Sequence, residues 1–143
     1  MKIGELARQA KCGTETIRFY EKEGLLPEPP RSEGNYRSYE ASHLERLRFI
    51  RNCRNLDMTH DEIRALLAFA DHPHDNCGPV NALLDEHIAH VDRRIDELGR
   101  LKQQLTSLRQ QCGSPQAIED CGIIHGLADM PSQEKAPSSS HLG

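Results

Sequence analysis

From about Val80 to Gln111 the chain carries one long helical pattern, and no other stretch of comparable length exists to lie against it. Positions 84, 87, 91, 94, 98, 101, 105 and 108 step by three and four. They hold Leu84, His87, Val91, Arg94, Leu98, Leu101, Leu105 and Leu108, so six of eight seam positions are apolar. A helix of roughly thirty residues with one apolar seam cannot cover that seam itself. The expected solution is a two-chain coil, a homodimer joined along residues 80–111. Hydrophobic residues make up only 36% of the chain and aromatics 4%, with no Trp, which is thin material for a large self-sufficient core. The alternative is a monomer in which this helix folds back on the N-terminal part.

The N-terminal part reads as short helices around a hairpin. Ile3, Leu6, Ala7 and Ala10 keep helical spacing, Lys11-Cys12-Gly13 breaks it, and Thr14 is a good N-cap for a second helix through Ile17, Tyr20 and Glu21 that ends near Gly24. Helix, glycine-containing turn, helix is the helix-turn-helix outline. Pro27, Pro29 and Pro30, followed by Gly34-Asn35, disfavour helix between Leu25 and Tyr39 and favour a small hairpin, read as a wing. Helical spacing resumes through Leu44, Leu47, Phe49 and Ile50, then, behind a Thr59 cap, through Ile63, Leu66, Leu67 and Phe69. The expected fold is mainly α. Residues 1–70 form a winged helix-turn-helix, 71–79 a hinge loop, 80–111 the coiled-coil helix, 112–128 a loop with a short helix, and 129–143 a disordered tail rich in Pro and Ser.

Charge separates the two ends. Residues 1–55 carry eleven Lys/Arg against eight Asp/Glu, a surplus of three positive charges, within a chain whose net charge is −4. All three Tyr fall between positions 20 and 39, interleaved with Arg18, Arg31 and Arg37. Arg neutralises phosphates, Tyr and Thr hydroxyls add hydrogen bonds, and only side chains on an inserted helix reach base edges. This places Thr14, Thr16 and Arg18 in a major groove and the wing on the backbone. Tyr20 and Tyr39 could instead be residues of the small core.

The string TIRFYEKEGLLPEPPRSEGNYRSY resembles the winged helix-turn-helix signature of the MerR family of transcriptional regulators. The resemblance extends over nearly the whole chain. It implies an antiparallel coiled-coil homodimer on double-stranded promoter DNA, which distorts an overlong spacer for RNA polymerase in response to an effector. Carried onto this sequence, it makes Thr16, Arg18, Tyr20, Arg31, Tyr36 and Arg37 DNA-facing.

Five cysteines in a chain without a signal-peptide profile suggest thiol ligands or packed thiols rather than disulfides. Cys12, in the reader turn, and Cys53, at an apolar helical position, read as small packed residues. Cys77, Cys112 and Cys121 lie at the edges of the long helix or beyond it, beside Gly, Pro or Asp. Cys77 and Cys112 are about 50 Å apart along a straight helix, too far to share an ion within one chain, whereas an antiparallel dimer sets one chain's Cys77 beside its partner's Cys112 and Cys121. Three thiolates select soft ions such as Cd(II), Pb(II) or Hg(II), and suit Zn(II) less well. The triplet matches that of the heavy-metal branch of the MerR family, and NCGPVNALLDEHIAHVDRRIDEL looks most like its cadmium/lead-responsive group. Mercury-responsive members use a similar triplet.

His87 and His90 share a helical face and, with a tail residue such as His141, form a candidate second, harder site. A solvated or coil-seam role for them is the alternative. No Ser/His/Asp set, paired-carboxylate cleft or phosphate-cradling Gly loop is visible, so the chain does not read as an enzyme. A cytosolic metal-buffering thiol protein would need the same cysteines but not the Arg/Tyr reader. No apolar run approaches the ~18 residues of a membrane span, so a cytoplasmic protein without a membrane partner is expected.

Overall fold

Turn chemistry sets the boundaries of the short helices, which would be marginal on their own. Residues 1–131 are those described by the computed structural model. Helix α1 (Ile3–Ala10) ends at Lys11, whose φ of 56° is left-handed. Helix α2 (Thr14–Lys22) begins one residue earlier than a Thr14 cap requires. Gly13 holds the N-cap position, so Thr14 is the first helical residue. The end of α2 is a Schellman motif. Gly24 takes a φ of 76°, its N–H donates to the Glu21 carbonyl, and the Leu25 N–H donates to the Tyr20 carbonyl. Two arginines pin the chain that follows. Arg64 donates to the Glu23 carbonyl at 2.9 Å, and Arg46 to the Leu25 carbonyl at 2.9 Å.

The wing is a hairpin reduced to one antiparallel bridge, Arg31 with Arg37. Gly34 and Asn35 turn it, both at positive φ, as the Gly-Asn pair leads one to expect. The Ser38 N–H donating to the Pro30 carbonyl at 3.0 Å closes its base. Beyond it, α3 (Ala41–Asn55) opens on a capping box in which the Glu40 N–H donates to His43 Nδ1 at 3.0 Å. Helix α4 (His60–Ala70) opens on a second box. Thr59 Oγ1 accepts from the Glu62 N–H at 3.1 Å, and the Thr59 N–H donates to Glu62 at 2.9 Å.

The amphipathic faces of these helices converge. Helix α1 packs on α2 and α3, and Leu6, Ile17, Leu25, Leu26, Leu47, Ile50 and Ile63 are sealed from solvent. Each such aliphatic side chain contributes about 1.5–3 kcal/mol on burial.

Helix α5 (Gly78–Arg109) is 32 residues long, about 48 Å. A 3-10 turn (Ile118–Asp120) and α6 (Gly122–Asp129) follow. Two compact units divide inside α5, at Leu83/Leu84. In the second unit Ile95, Leu98, Leu101 and Leu105 are each 45–59% exposed, an apolar stripe facing solvent in a single chain. Residues 132–143, which hold His141 and most of the tail expected to be disordered, lie outside the described residues. No described helix is long and apolar enough to cross a membrane.

Replacing Thr59 with Ala removes one half of the α4 box. At fixed protein concentration it is expected to lower unfolding stability by about 1 kcal/mol, read as a lower urea midpoint at unchanged slope. An unmoved midpoint would mean that the box contributes nothing.

Candidate nucleic-acid interface and thiol site

On α2 the inward stripe is Ile17 and Tyr20, three residues apart and both buried. Arg18 lies on the solvent side and is exposed, while Thr14 and Thr16 are half-buried. Tyr20 therefore departs from the expectation of a DNA-facing residue. Only 5% exposed, it turns its ring edge toward His60 at 6.4 Å and packs against Phe19 at 5.8 Å. Helical spacing from Ile17 carries it into the core. Phe19, outside that stripe, is 45% exposed.

In the wing, Arg31 and Tyr36 are open to solvent. Arg31 donates to the Asn35 carbonyl at 3.2 Å, and the Lys2 ammonium sits over the Tyr36 ring at 5.3 Å. Arg37 is more constrained than a free phosphate ligand. Its guanidinium donates to Glu21 at 2.8 Å, and the Glu21 side chain is only 3% exposed. Tyr39 O–H donates to the other carboxylate oxygen of Glu21 at 2.5 Å. A carboxylate this deeply placed needs a cation and a hydrogen bond; here both come from the return arm of the wing. Glu21 thus ties the wing to α2. Its position four residues after Ile17 marks the inward face of α2, a signal that attention to Arg and Tyr alone passes over. Burial, followed by the carboxylate it faces, raises the Tyr39 hydroxyl pKa to about 12.

Of the five thiols, Cys53 is buried and Cys12 half-buried, and burial pushes both pKa values up, for Cys12 against the pull of Arg51. Neither environment favours a thiolate. Cys77 is exposed just before α5, where its carbonyl accepts from the Asn81 N–H and Asn76 Oδ1 accepts from the Gly78 N–H. It stands on the wall of a cavity of about 510 Å³ that Phe49, Leu66 and Phe69 also line.

Cys112 and Cys121 flank the close approach of Gly122 to the Gln111 backbone, at the turn from α5 to α6. The N–H groups of Ile124 and Ile123, at the start of α6, favour the Cys121 thiolate and hold its pKa below the usual thiol range, with a smaller contribution from Cys112. The Cys112 thiol donates to the Ser114 carbonyl at 3.4 Å. Beside them, the His125 ring contacts the Glu119 carbonyl. One protomer thus supplies a convergent pair of soft donors, suited to a thiophilic ion and unsuited to Ca(II) or Mg(II). The His87 and His90 rings lie edge to face, with centroids 6.3 Å apart.

Residues 1–70 match the family described as MerR HTH family regulatory protein, and residues 44–108 the family described as MerR, DNA binding. The chain is 47% identical over 111 residues to the HTH-type transcriptional regulator ZntR homolog of Haemophilus influenzae, covering 78% of this chain and 82% of that one. It is 36% identical over 126 residues to the mercuric resistance operon regulatory protein of Bacillus cereus, covering 88% and 96%. Among solved structures it is similar to the transcription regulator PbrR691 from Ralstonia metallidurans CH34 in complex with lead(II). The TM-score is 0.80 and the identity 54%, over 89% of this chain and 98% of that one.

The Glu21 latch has a pH signature. A tyrosine whose folded pKa is raised adds stability that is complete below its ordinary value near 10 and is lost as pH rises through about 12. Absorbance titration at 295 nm is expected to show a tyrosine ionising near pH 12 that disappears in Tyr39→Phe. Retention of that step in the variant would reject the assignment.

Proposed function

The chain belongs to the MerR family of transcriptional regulators, close to the metal-responsive ZntR and PbrR types, and from that premise we propose that it senses Cd(II) or Pb(II) through Cys77, Cys112 and Cys121 and switches a metal-resistance efflux promoter by distorting DNA. It is a regulator and not an enzyme, and regulators of this family bind promoter DNA as homodimers.

The observation that carries the sensor reading is the close seating of Gly122 on the Gln111 backbone, which brings the adjacent Cys121 and Cys112 to one side of the α5–α6 turn. Two thiolates leave a soft ion one donor short of a three-sulfur shell. In an antiparallel homodimer the start of one long helix meets the end of the other, and the partner's exposed Cys77 supplies that donor. The 54% identical neighbour solved with lead(II) supports Pb(II) or Cd(II). The Bacillus cereus relative supports Hg(II) as the alternative effector, and Zn(II) is the least suited of the four to three sulfurs. Arg18 and the half-buried Thr14 and Thr16 of α2 are the proposed groove-facing residues, with Arg31, Tyr36 and Arg37 on the backbone. His87, His90 and the tail residue His141 form a proposed weaker, harder second site.

The switch follows from the cost of bending DNA. Distorting a promoter-sized site costs on the order of 1–6 kcal/mol. An effector lowers that cost only by binding the distorting dimer conformation more tightly than the other. RNA polymerase then meets two promoter elements brought into register.

Anaerobic titration of the reduced protein with Cd(II), Pb(II), Hg(II) and Zn(II), followed by thiolate-to-metal absorption, tests the sensor. Cys77→Ser, Cys112→Ser and Cys121→Ser are each expected to weaken Cd(II) and Pb(II) by more than about tenfold, since each removes one of three donors. Binding indifferent to all three substitutions would sink the proposed site. A second bound equivalent lost in a His87→Ala, His90→Ala double variant would support the harder site, and unchanged stoichiometry would remove it. Transcription from one promoter template is expected to rise on adding Cd(II) or Pb(II); equal transcript levels with and without metal would reject the switch.

A further inference from the structure

Two glycines lie where α6 meets the end of α5, and neither is there for its backbone angles. Among the described residues only Gly24 and Gly34 are glycines with positive φ. Gly122 and Gly126 are instead the first and fifth residues of the eight-residue helix α6, and at the interior position 126 Ala would be favoured by about 1 kcal/mol. Neither backbone angles nor, at Gly126, local propensity asks for glycine, so the cause is packing. A Cβ built on Gly122 would fall under 3.0 Å from the Gln111 carbonyl oxygen and 3.0 Å from its carbon. One on Gly126 would fall under 3.0 Å from Gln111 Oε1 and 3.4 Å from Leu108 Cδ1. Four residues apart, the two glycines share a face, and that face lies flush on the turn that ends α5.

The contact joins the immediate neighbours of the two thiols. Gln111 precedes Cys112, and Gly122 follows Cys121. We propose that Gly122 is the positioning residue of the sensor: it lets α6 seat directly on the Gln111 backbone, and that seating holds Cys112 and Cys121 close enough to share one ion. Gly126 extends the same contact. The inference rests on the thiol-site reading above and adds what sets the spacing of two of its donors.

The two glycines are not equivalent. Gly122 faces backbone, which cannot yield without moving the turn that carries Cys112. Gly126 faces the far end of a flexible glutamine, which can swing aside. Supporting residues of metal sites typically cost 10–100-fold in affinity when changed, and only the backbone-facing position is expected to do so here.

The test compares Gly122→Ala, Gly126→Ala, Gln111→Ala and the Gly126→Ala, Gln111→Ala pair in the full-length reduced dimer. Readouts are Cd(II) affinity, the thiolate-to-cadmium absorption band, helix content, and metal-free DNA affinity. Gly122→Ala is expected to weaken Cd(II) by more than about tenfold and to alter the band, while helix content and metal-free DNA binding stay at the unsubstituted level. Gly126→Ala is expected to stay within about threefold, with Gln111→Ala restoring the difference. A Gly122→Ala protein with Cd(II) affinity within twofold of the parent and the same band would overturn the inference, as would Gly126→Ala having the larger effect. Should Gly122→Ala lose helix content, metal-free DNA affinity decides: DNA binding kept with Cd(II) weakened supports the inference, and loss of both overturns it. Cys112→Ser and Cys121→Ser separate the two levels. If they weaken Cd(II) and Gly122→Ala does not, the positioning role alone falls; if they leave Cd(II) untouched, the thiol site and the positioning role fall together.

Discussion

Three leucines at half exposure in the second half of a 32-residue helix are the constraint on which the rest of this protein depends. Leu98, Leu101 and Leu105 stand 45–58% open to solvent in the single chain. Full burial of such a side chain is worth about 1.5–3 kcal/mol, so the stripe is a standing drive toward association. Members of the MerR family bind promoter DNA as homodimers, and the seam is the part of this chain that suits that state. A dimer in turn doubles the reading heads. It also lets residues far apart in one chain, such as Cys77 and Cys112, meet across two.

At the DNA-reading end, a buried carboxylate performs the organising task. Glu21 holds Arg37 and Tyr39 with its two oxygens, and a hairpin of one bridge has little else to fix its angle. Such a wing is soft by construction, since a single bridge and a turn with two positive-φ residues are a small share of a ladder. Removing the cation would leave the carboxylate unpaired in a nearly dry place, which is the costly way to break such a pair. Part of the Arg37 charge is therefore answered within the protein while its side chain stays 28% exposed, whereas Arg18 and Arg31 are open to solvent.

Much of this was legible in the residue pattern, and the exceptions have physical causes. The reader turn, the wing at Gly34-Asn35, the Thr59 cap and the long helix follow from breaker residues and from apolar spacing, both local signals. Tyr20 has a chemistry that suits phosphate, but its position three after Ile17 belongs to the core, where it is 5% exposed. Gly13 rather than Thr14 took the cap because the choice between adjacent cap positions is settled by dihedral angles that spacing does not encode. The Gln111–Gly122 contact was invisible for a different reason. It pairs two segments across a loop, and a glycine needed for closeness looks the same in sequence as one needed for a turn.

The position of the thiol pair bears on how a small ion could move a large assembly. On the proposed reading, two donors belong to the turn into α6 and the third to the other chain, so the ion closes a link between protomers. The energy it must deliver is set by the DNA, on the order of 1–6 kcal/mol of distortion, and only the difference in ion affinity between the two dimer conformations counts toward it. A donor pair held rigidly by α6 makes that difference large. If Cys112 and Cys121 could drift to follow a partner's sulfur, both conformations would bind the ion equally well, and tight binding would shift nothing. A stiff glycine-mediated seat for α6 is thus what a metal switch of this kind requires, and a flexible loop carrying the same two cysteines would make a metal buffer instead.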